Sequence, residues 1–331
     1  MSSKDLMEAL HFACTLSFWR MTFLWTYSLI ISYIQLLTRS MTQKSTYNHC
    51  AVSPLPPITS SASGRRLPIC IITGATSGLG AAAALALSRE GFCVVMSNIR
   101  SQSEEVQLKA FQVDLSSLSS IMRFKESLDQ WLLDSDMHPS IQLLINNAGI
   151  LATTSRLTTE GHDQMMGTNY IGAFSLTEVL LPLLKNSPVP SRIINLTSFT
   201  HRNVSGFRAE KETVSGKRFS KLKHYPCAEI YELAVDPGAV KTDIMREVPW
   251  CISQVALLVL GVLGLLQSPE AGVSSILDAA LAPPETSGLY FFGGNGRTVD
   301  SSALSYDLKL SRELWATSCH IFQDSLSAQP A

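Results

Sequence analysis

Thr73, Gly74, Thr76, Ser77, Gly78, Leu79 and Gly80 stand in the pattern Thr-Gly-x-x-x-Gly-x-Gly, behind two isoleucines and ahead of an alanine-rich run at 81–87. A strand, a glycine turn and a helix N-terminus in that order build an anion site. The first helical amides are unpaired and point at the ligand, and the helix dipole favours its charge, so a pyrophosphate fits there. Glycine is needed where a side chain would block close approach of the backbone or demand a strained φ. An ordinary strand-to-helix turn can carry the same glycines, so the context decides. Asn146, Asn147, Ala148 and Gly149 close an apolar run at 141–145, and Thr197 and Ser198 close another at 192–196. Beyond them, Asp236, Pro237, Gly238, Ala239 and Val240 lead to Thr242.

The elements that must position these residues follow from the hydrophobic pattern. Apolar runs at 69–73, 93–97, 107–113, 141–145 and 192–196 predict strands, and helical periodicity predicts helices after the glycine turn, over 118–133 and over 161–184. Gly91 is a stop signal for the first of them. Strand-helix alternation with short loops implies a doubly wound parallel sheet of the Rossmann kind. One connection does not suit it: only residues 98–106 join the second and third strands, and a parallel crossover through a helix needs about a dozen or more. Either that crossover is an irregular loop or the sheet edge is rebuilt.

The four motifs in this order resemble the short-chain dehydrogenase/reductase family over residues 67–322. The start, around Phe18 to Phe23, and the end of the chain are similar to its membrane-associated, retinol-dehydrogenase-like branch, including plant oxidoreductases of the forever-young type. The resemblance implies a nicotinamide cofactor on Gly74, Thr76, Ser77, Gly78, Leu79 and Gly80. It gives the adenine to Asp114 and Leu115, the adenosine ribose to Asn146, Asn147, Ala148 and Gly149, and the nicotinamide carboxamide to Pro237, Gly238 and Thr242. Asp114 has a plainer alternative as an N-cap of the next helix. About 20 residues past the glycine turn such sheets carry an acid for NAD or a base for the 2′-phosphate of NADP. No acid lies between Gly91 and Ser103, and Arg100 is present, so NADP(H) is expected; a solvated loop arginine is the bland alternative.

The family reduces carbonyls with an Asn, a Ser, a Tyr and a Lys four residues after the Tyr, and Asn169, Ser198 and Tyr231 match the first three. Each alone would more often be a turn or cap residue. The Lys is missing: four residues beyond Tyr231 stands Val235, beyond Tyr225 stands Glu229, and no Tyr-x-x-x-Lys occurs in the chain. Tyr231 also lies five residues before Asp236, leaving no room for a helix and a following strand, which need roughly 25 more residues. The expectation is therefore a sheet missing one helix and most of one strand, and an oxidoreductase of apolar alcohols or carbonyls with impaired turnover. The alternatives are a catalytically silent, membrane-anchored nucleotide- or partner-binding variant, or an unstable splice product.

At 331 residues, 46% hydrophobic and 16% charged, the chain suits one large α/β domain with an appendage. A net charge of −1 carries no basic stripe for a nucleic acid, and seven cysteines without CxxC spacing read as reduced thiols rather than metal ligands. Residues 21–37 are uncharged, the short end of a spanning length. They predict a single-pass anchor within 1–40, with a buried or organelle-targeting helix as the alternative, a Ser/Thr/Pro-rich linker over 41–66 and a short tail at 323–331. The excess of Arg39, Lys44, Arg65 and Arg66 after the anchor, over Lys4 and Arg20 before it, orients the large domain to the cytosol, most naturally at the endoplasmic reticulum. A second apolar run at 255–266 is too short to span; it reads as a helix closing the substrate pocket, or one that also dips into the bilayer.

Overall fold

Isoleucines and valines without a polar face dictate the centre of the molecule. The computed structural model describes residues 16–42, 58–59, 65–97, 108–135, 137–151, 156–203, 208–217, 230–246, 248 and 250–328. Among the described residues seven strands form one wholly parallel sheet: β1 (Ile69–Ile72), β2 (Cys93–Ser97), β3 (Leu108–Phe111), β4 (Leu143–Asn146), β5 (Ser191–Leu196), β6 (Ile230–Asp236) and β7 (Tyr290–Phe292). Their order across the sheet is β3-β2-β1-β4-β5-β6-β7. All four β1 residues are buried because helices cover both faces. Cys70 and Ile72 face the layer made by α2 (Gly78–Arg89) and α6 (Pro269–Leu281). Ile69 and Ile71 face α3 (Leu118–Asp134) and a helix α4 over 164–185. Strand order reverses beside β1, so the crevice above the carboxyl ends of β1 and β4 is where such a sheet takes its ligand.

The sheet is complete where the sequence predicts a gap. β6 has its full seven residues and lies between β5 and β7, with Ile230 to Val235 registered on Ser191 to Leu196. The expected loss of most of a strand is thus overturned, since residues upstream of Asp236 pair in its place. What the described residues lack is a long helix between β5 and β6. They hold only the short turns Phe199–Asn203 and Thr213–Lys217. The far edge is not rebuilt either: β3 pairs in parallel with β2 despite the short crossover, which lies outside the described residues.

A 27-residue helix α1 (Leu16–Thr42) follows the predicted anchor but does not stand clear of the domain. Leu29 and Leu36 are buried with Tyr290, Phe292 and Val299, and Tyr33 meets the Phe292 ring edge-on at 5.3 Å. The Ser28 hydroxyl donates to the Phe199 carbonyl at 2.7 Å. Among the described residues no helix is long and apolar enough to cross a membrane, which corrects the single-pass expectation. Ser28, Ser32 and Gln35 interrupt the apolar run on the side that faces the protein. The expected linker lies largely outside the described residues, apart from two short paired strands, Ile58–Thr59 and Arg65–Arg66. The chain closes with α5 (Trp250–Val262), on the predicted pocket-closing run, and α7 (Leu308–Ser327), which carries the domain past the expected tail boundary.

Candidate functional site

The glycine turn and the Asn146–Gly149 turn are built into one another. Thr73 Oγ1 accepts the backbone N–H groups of Asn147 and Ala148, both at 3.0 Å. In return the Asn147 side-chain amide donates to the carbonyls of Thr73 and Gly74 at 2.8 and 3.1 Å. Three glycines make this approach possible. Gly74 has φ +64°, and a Cβ there would stand 2.8 Å from Ala148 Cα. A Cβ on Gly80 would stand 2.4 Å from both Asn147 Nδ2 and the Gly74 carbonyl oxygen. Across the crevice, a Cβ on Gly78 would reach within 3.0 Å of Thr242 Cγ2, so the glycine turn faces the loop after Asp236. Thr76 and Ser77 are exposed at the crevice, and the Ser77 hydroxyl makes no cap bond to α2, while Leu79 is buried under the turn as a packing residue. A bare-backbone cradle with open amides at a helix start fits a pyrophosphate.

The neighbouring positions are held in the same way. Leu115 is buried, and its carbonyl lies so near Gly172 that a Cβ there would come within 2.1 Å. Asp114 is exposed; its Oδ1 accepts from the Ser116 amide and hydroxyl, and the true cap of α3 is Ser117, so the N-cap alternative for Asp114 does not hold. Asn146 is buried and donates to Asn195 Oδ1 at 2.8 Å and Thr177 Oγ1 at 3.2 Å, which locks β4 to β5. Asn169 sits in a π-helical turn, Gly167–Gly172, that interrupts α4. Its side chain both accepts from the Ile150 amide at 2.8 Å and donates to the Ile150 carbonyl at 2.9 Å, fixing the segment just after Gly149. Such π turns occur often at functional sites because they re-aim one side chain.

Ser198 follows β5 at the carboxyl edge. The Thr197 amide still bonds the Val235 carbonyl, so Thr197 is level with Asp236 and Ser198 is the next residue beyond it. Its hydroxyl accepts from Thr200 at 3.1 Å, and His201 Nδ1 lies 2.6 Å from its carbonyl oxygen. Gly238, at φ +77°, donates its N–H to Asp236 Oδ1 at 2.8 Å. Tyr231 is not brought to this edge. Its backbone is paired with Arg192, four residues before the end of β5 and about 13 Å below the carboxyl edge at strand rise. The remaining sequence-predicted position, Arg100, lies outside the described residues.

Sequence reasoning misses a polar cluster beneath Ser198. The Tyr290 hydroxyl donates to buried Asp236 Oδ2 at 2.9 Å and lies 3.3 Å from His201 Nδ1, while Ser301 Oγ lies 3.3 Å from His201 Nε2. These residues come from β6, β7 and two loops, and no spacing in the sequence connects them. They tie the Ser198 loop to the Asp236–Gly238 turn. Tyr33 of α1 reaches the same place: Gln267 Nε2 donates to its hydroxyl at 3.0 Å, and burial pushes that phenol's pKa up.

A glycine cradle at the strand-order reversal, facing Thr242 and with Asn169 beside Gly149, is what a nucleotide-binding doubly wound domain carries there. The short chain dehydrogenase family model matches residues 68–250, and the chain belongs to that family. It is 28% identical over 288 residues to human polyprenol dehydrogenase, covering 76% of this chain and 84% of that protein. Zebrafish (Danio rerio) polyprenol dehydrogenase is 30% identical over 291 residues, with 76% and 85% covered, and human retinol dehydrogenase 13 is 28% identical over 284, with 76% and 83% covered. Among solved structures, an uncharacterised protein from Mycobacterium paratuberculosis aligns with TM-score 0.52 at 24% identity, over 79% of this chain and 98% of that one. A 3-oxoacyl-[acyl-carrier protein] reductase from Brucella melitensis in complex with NAD aligns with TM-score 0.50 at 18% identity, over 70% and 98%. These two likenesses bear on the fold alone.

Proposed function

We propose that this chain is an NADP(H)-binding oxidoreductase of the short chain dehydrogenase family that acts weakly on apolar alcohols or carbonyl compounds at a membrane, with its large domain facing the cytosol. The observation that carries it is the interlock of Gly74 and Gly80 with the Asn146–Gly149 turn, facing Thr242. On this reading the pyrophosphate lies on the amides of 76–80, the adenosine against Asp114, Leu115 and Asn146 to Gly149, and Arg100 takes the 2′-phosphate. Pro237, Gly238 and Thr242 hold the carboxamide. A reduced nicotinamide bound there would supply hydride to a carbonyl carbon. Ser198 would donate a hydrogen bond to the carbonyl oxygen, and Asn169 would keep the edge of the site in place. The names of the polyprenol and retinol relatives support a long apolar substrate.

Weak turnover follows from the missing acid. General acid–base catalysis contributes about 10² to 10⁴ in rate, and the register of Tyr231 leaves its backbone at the opposite end of β6 from Ser198. The test is titration of the purified chain with NADPH and NADH, with Arg100→Ala alongside, followed by NADPH oxidation with apolar aldehydes and ketones. NADPH is expected to bind more tightly, Arg100→Ala to erase the preference, and turnover to rise only when a helix bearing Tyr-x-x-x-Lys is inserted between β5 and β6, ahead of Ile230. Equal affinity for NADH sinks the cofactor assignment. Ordinary enzymatic turnover that is lost on Tyr231→Phe sinks the claim of a missing acid.

A further inference from the structure

Helix α1 carries apolar residues on both faces, and only one face is used by the domain. Ser28, Leu29, Ser32 and Leu36 are buried against it. On the other side Phe23, Tyr27, Ile30, Ile34 and Leu37 are each at least 40% exposed. Their spacing of four, three, four and three residues draws one continuous stripe about 21 Å long at helical rise. Helix α5 repeats the pattern, with Trp250, Val255, Leu258 and Val262 all more than 60% exposed. The two helices are neighbours, because Leu260 and Leu265 pack on the same cluster as Leu29, Leu36 and Tyr33. Soluble monomers rarely leave so large an apolar surface in water.

Charge identifies the occupant. Between residues 9 and 88 the chain has Arg20, Arg39, Lys44, Arg65 and Arg66 and no acid at all. An apolar stripe carrying aromatic side chains, bracketed by basic residues, is the pattern of a helix lying in the headgroup layer of an anionic membrane. A spanning orientation would have to pull the inner face of α1 off Tyr290, Phe292 and Val299 and break the Ser28–Phe199 and Gln267–Tyr33 hydrogen bonds.

We propose that the outward faces of α1 and α5 together form a docking surface that lies in the plane of an anionic bilayer, its apolar stripe immersed to the headgroup–acyl boundary. The proposal rests on the reading that the chain works at a membrane and specifies how it does so. Tyr33 lies within reach of Gly238, where a Cβ would stand 3.6 Å from its hydroxyl, so this surface borders the nicotinamide end of the crevice. An apolar substrate dissolved in the bilayer meets the site from that side.

The experiment uses the full chain with an epitope tag at each end, floated with phosphatidylcholine vesicles with and without phosphatidylserine and inserted in parallel into microsomes for protease digestion. Flotation enhanced by phosphatidylserine, with both tags digested without detergent, is expected. Phe23→Asp with Ile34→Asp, and separately Leu258→Asp with Val262→Asp, should each weaken flotation by at least ~10-fold while leaving the melting temperature unchanged, because all four positions are exposed. No flotation of the unmodified chain overturns both the docking surface and the membrane reading. Flotation with a protected N-terminal tag overturns the in-plane arrangement alone. Absence of flotation with a dimer that both variant pairs dissolve assigns the face to a second copy instead. None of these results depends on nucleotide binding or turnover.

Discussion

Replacing glycines one at a time separates close backbone approach from backbone strain. Gly91 has φ +91° and nothing within 4 Å of a built Cβ, so Gly91→Ala carries strain alone. A left-handed non-glycine residue costs about 1–2 kcal/mol, offset by about 0.4–1 kcal/mol from the stiffer unfolded chain. The net loss is about 1 kcal/mol. Gly80 is helical and carries contact alone: its Cβ would sit 2.4 Å from a backbone oxygen, which no rotamer can relieve. Overpacking costs about 1–3 kcal/mol, and the helix regains about 1 kcal/mol from alanine. Gly74→Ala combines both penalties, at φ +64° and 2.8 Å from Ala148 Cα, for about 3 kcal/mol. Urea unfolding should rank Gly74→Ala as the most severe, with Gly91→Ala and Gly80→Ala each losing about 1 kcal/mol. NADPH titration should add the functional distinction: Gly91→Ala binds as the parent does, while Gly74→Ala and Gly80→Ala weaken binding at least ~10-fold, about 1.4 kcal/mol. A Gly80→Ala protein of parental stability and affinity would refute the interlocked turns as the basis of the nucleotide site.

Three further outcomes follow from burial. Val235→Lys restores the family's residue type four places after Tyr231, yet Val235 is fully buried on β6; the change should cost several kcal/mol and add no NADPH oxidation, read by thermal melting and absorbance. Tyr290→Phe removes the phenol donor from buried Asp236 and should lower stability by about 1–3 kcal/mol, read by urea unfolding. Burial pushes the Cys93 thiol up to about 11 and, with Cys93 beside it, raises Cys70 as well. Because a raised pKa keeps both protonated, iodoacetamide at about pH 8 should label them only after unfolding, and mass spectrometry of the native protein should find them unmodified.

The chemistry-bearing turns and most of the sheet were legible in the residues because their determinants are local. Glycine at 74, 78 and 80 and the apolar runs at 69–73, 93–97 and 141–145 declare themselves within a few residues, and a parallel sheet covered on both faces needs apolar residues at every strand position. The helix over 161–184 was legible too, but not its π turn at Gly167–Gly172, which lies where Leu115 closely approaches Gly172. Non-local competition decided the rest. The slot between β5 and β7 must be filled, because an open edge there would leave backbone groups of both neighbours unpaired. Residues 230–236 fill it, and Tyr231 becomes a strand residue. The uncharged run at 21–37 has the composition of a spanning helix, and composition cannot tell a lipid from a protein surface. The cluster of Tyr290, Phe292 and Val299 claims one face of that run, as only the tertiary structure could show, and leaves the other outward.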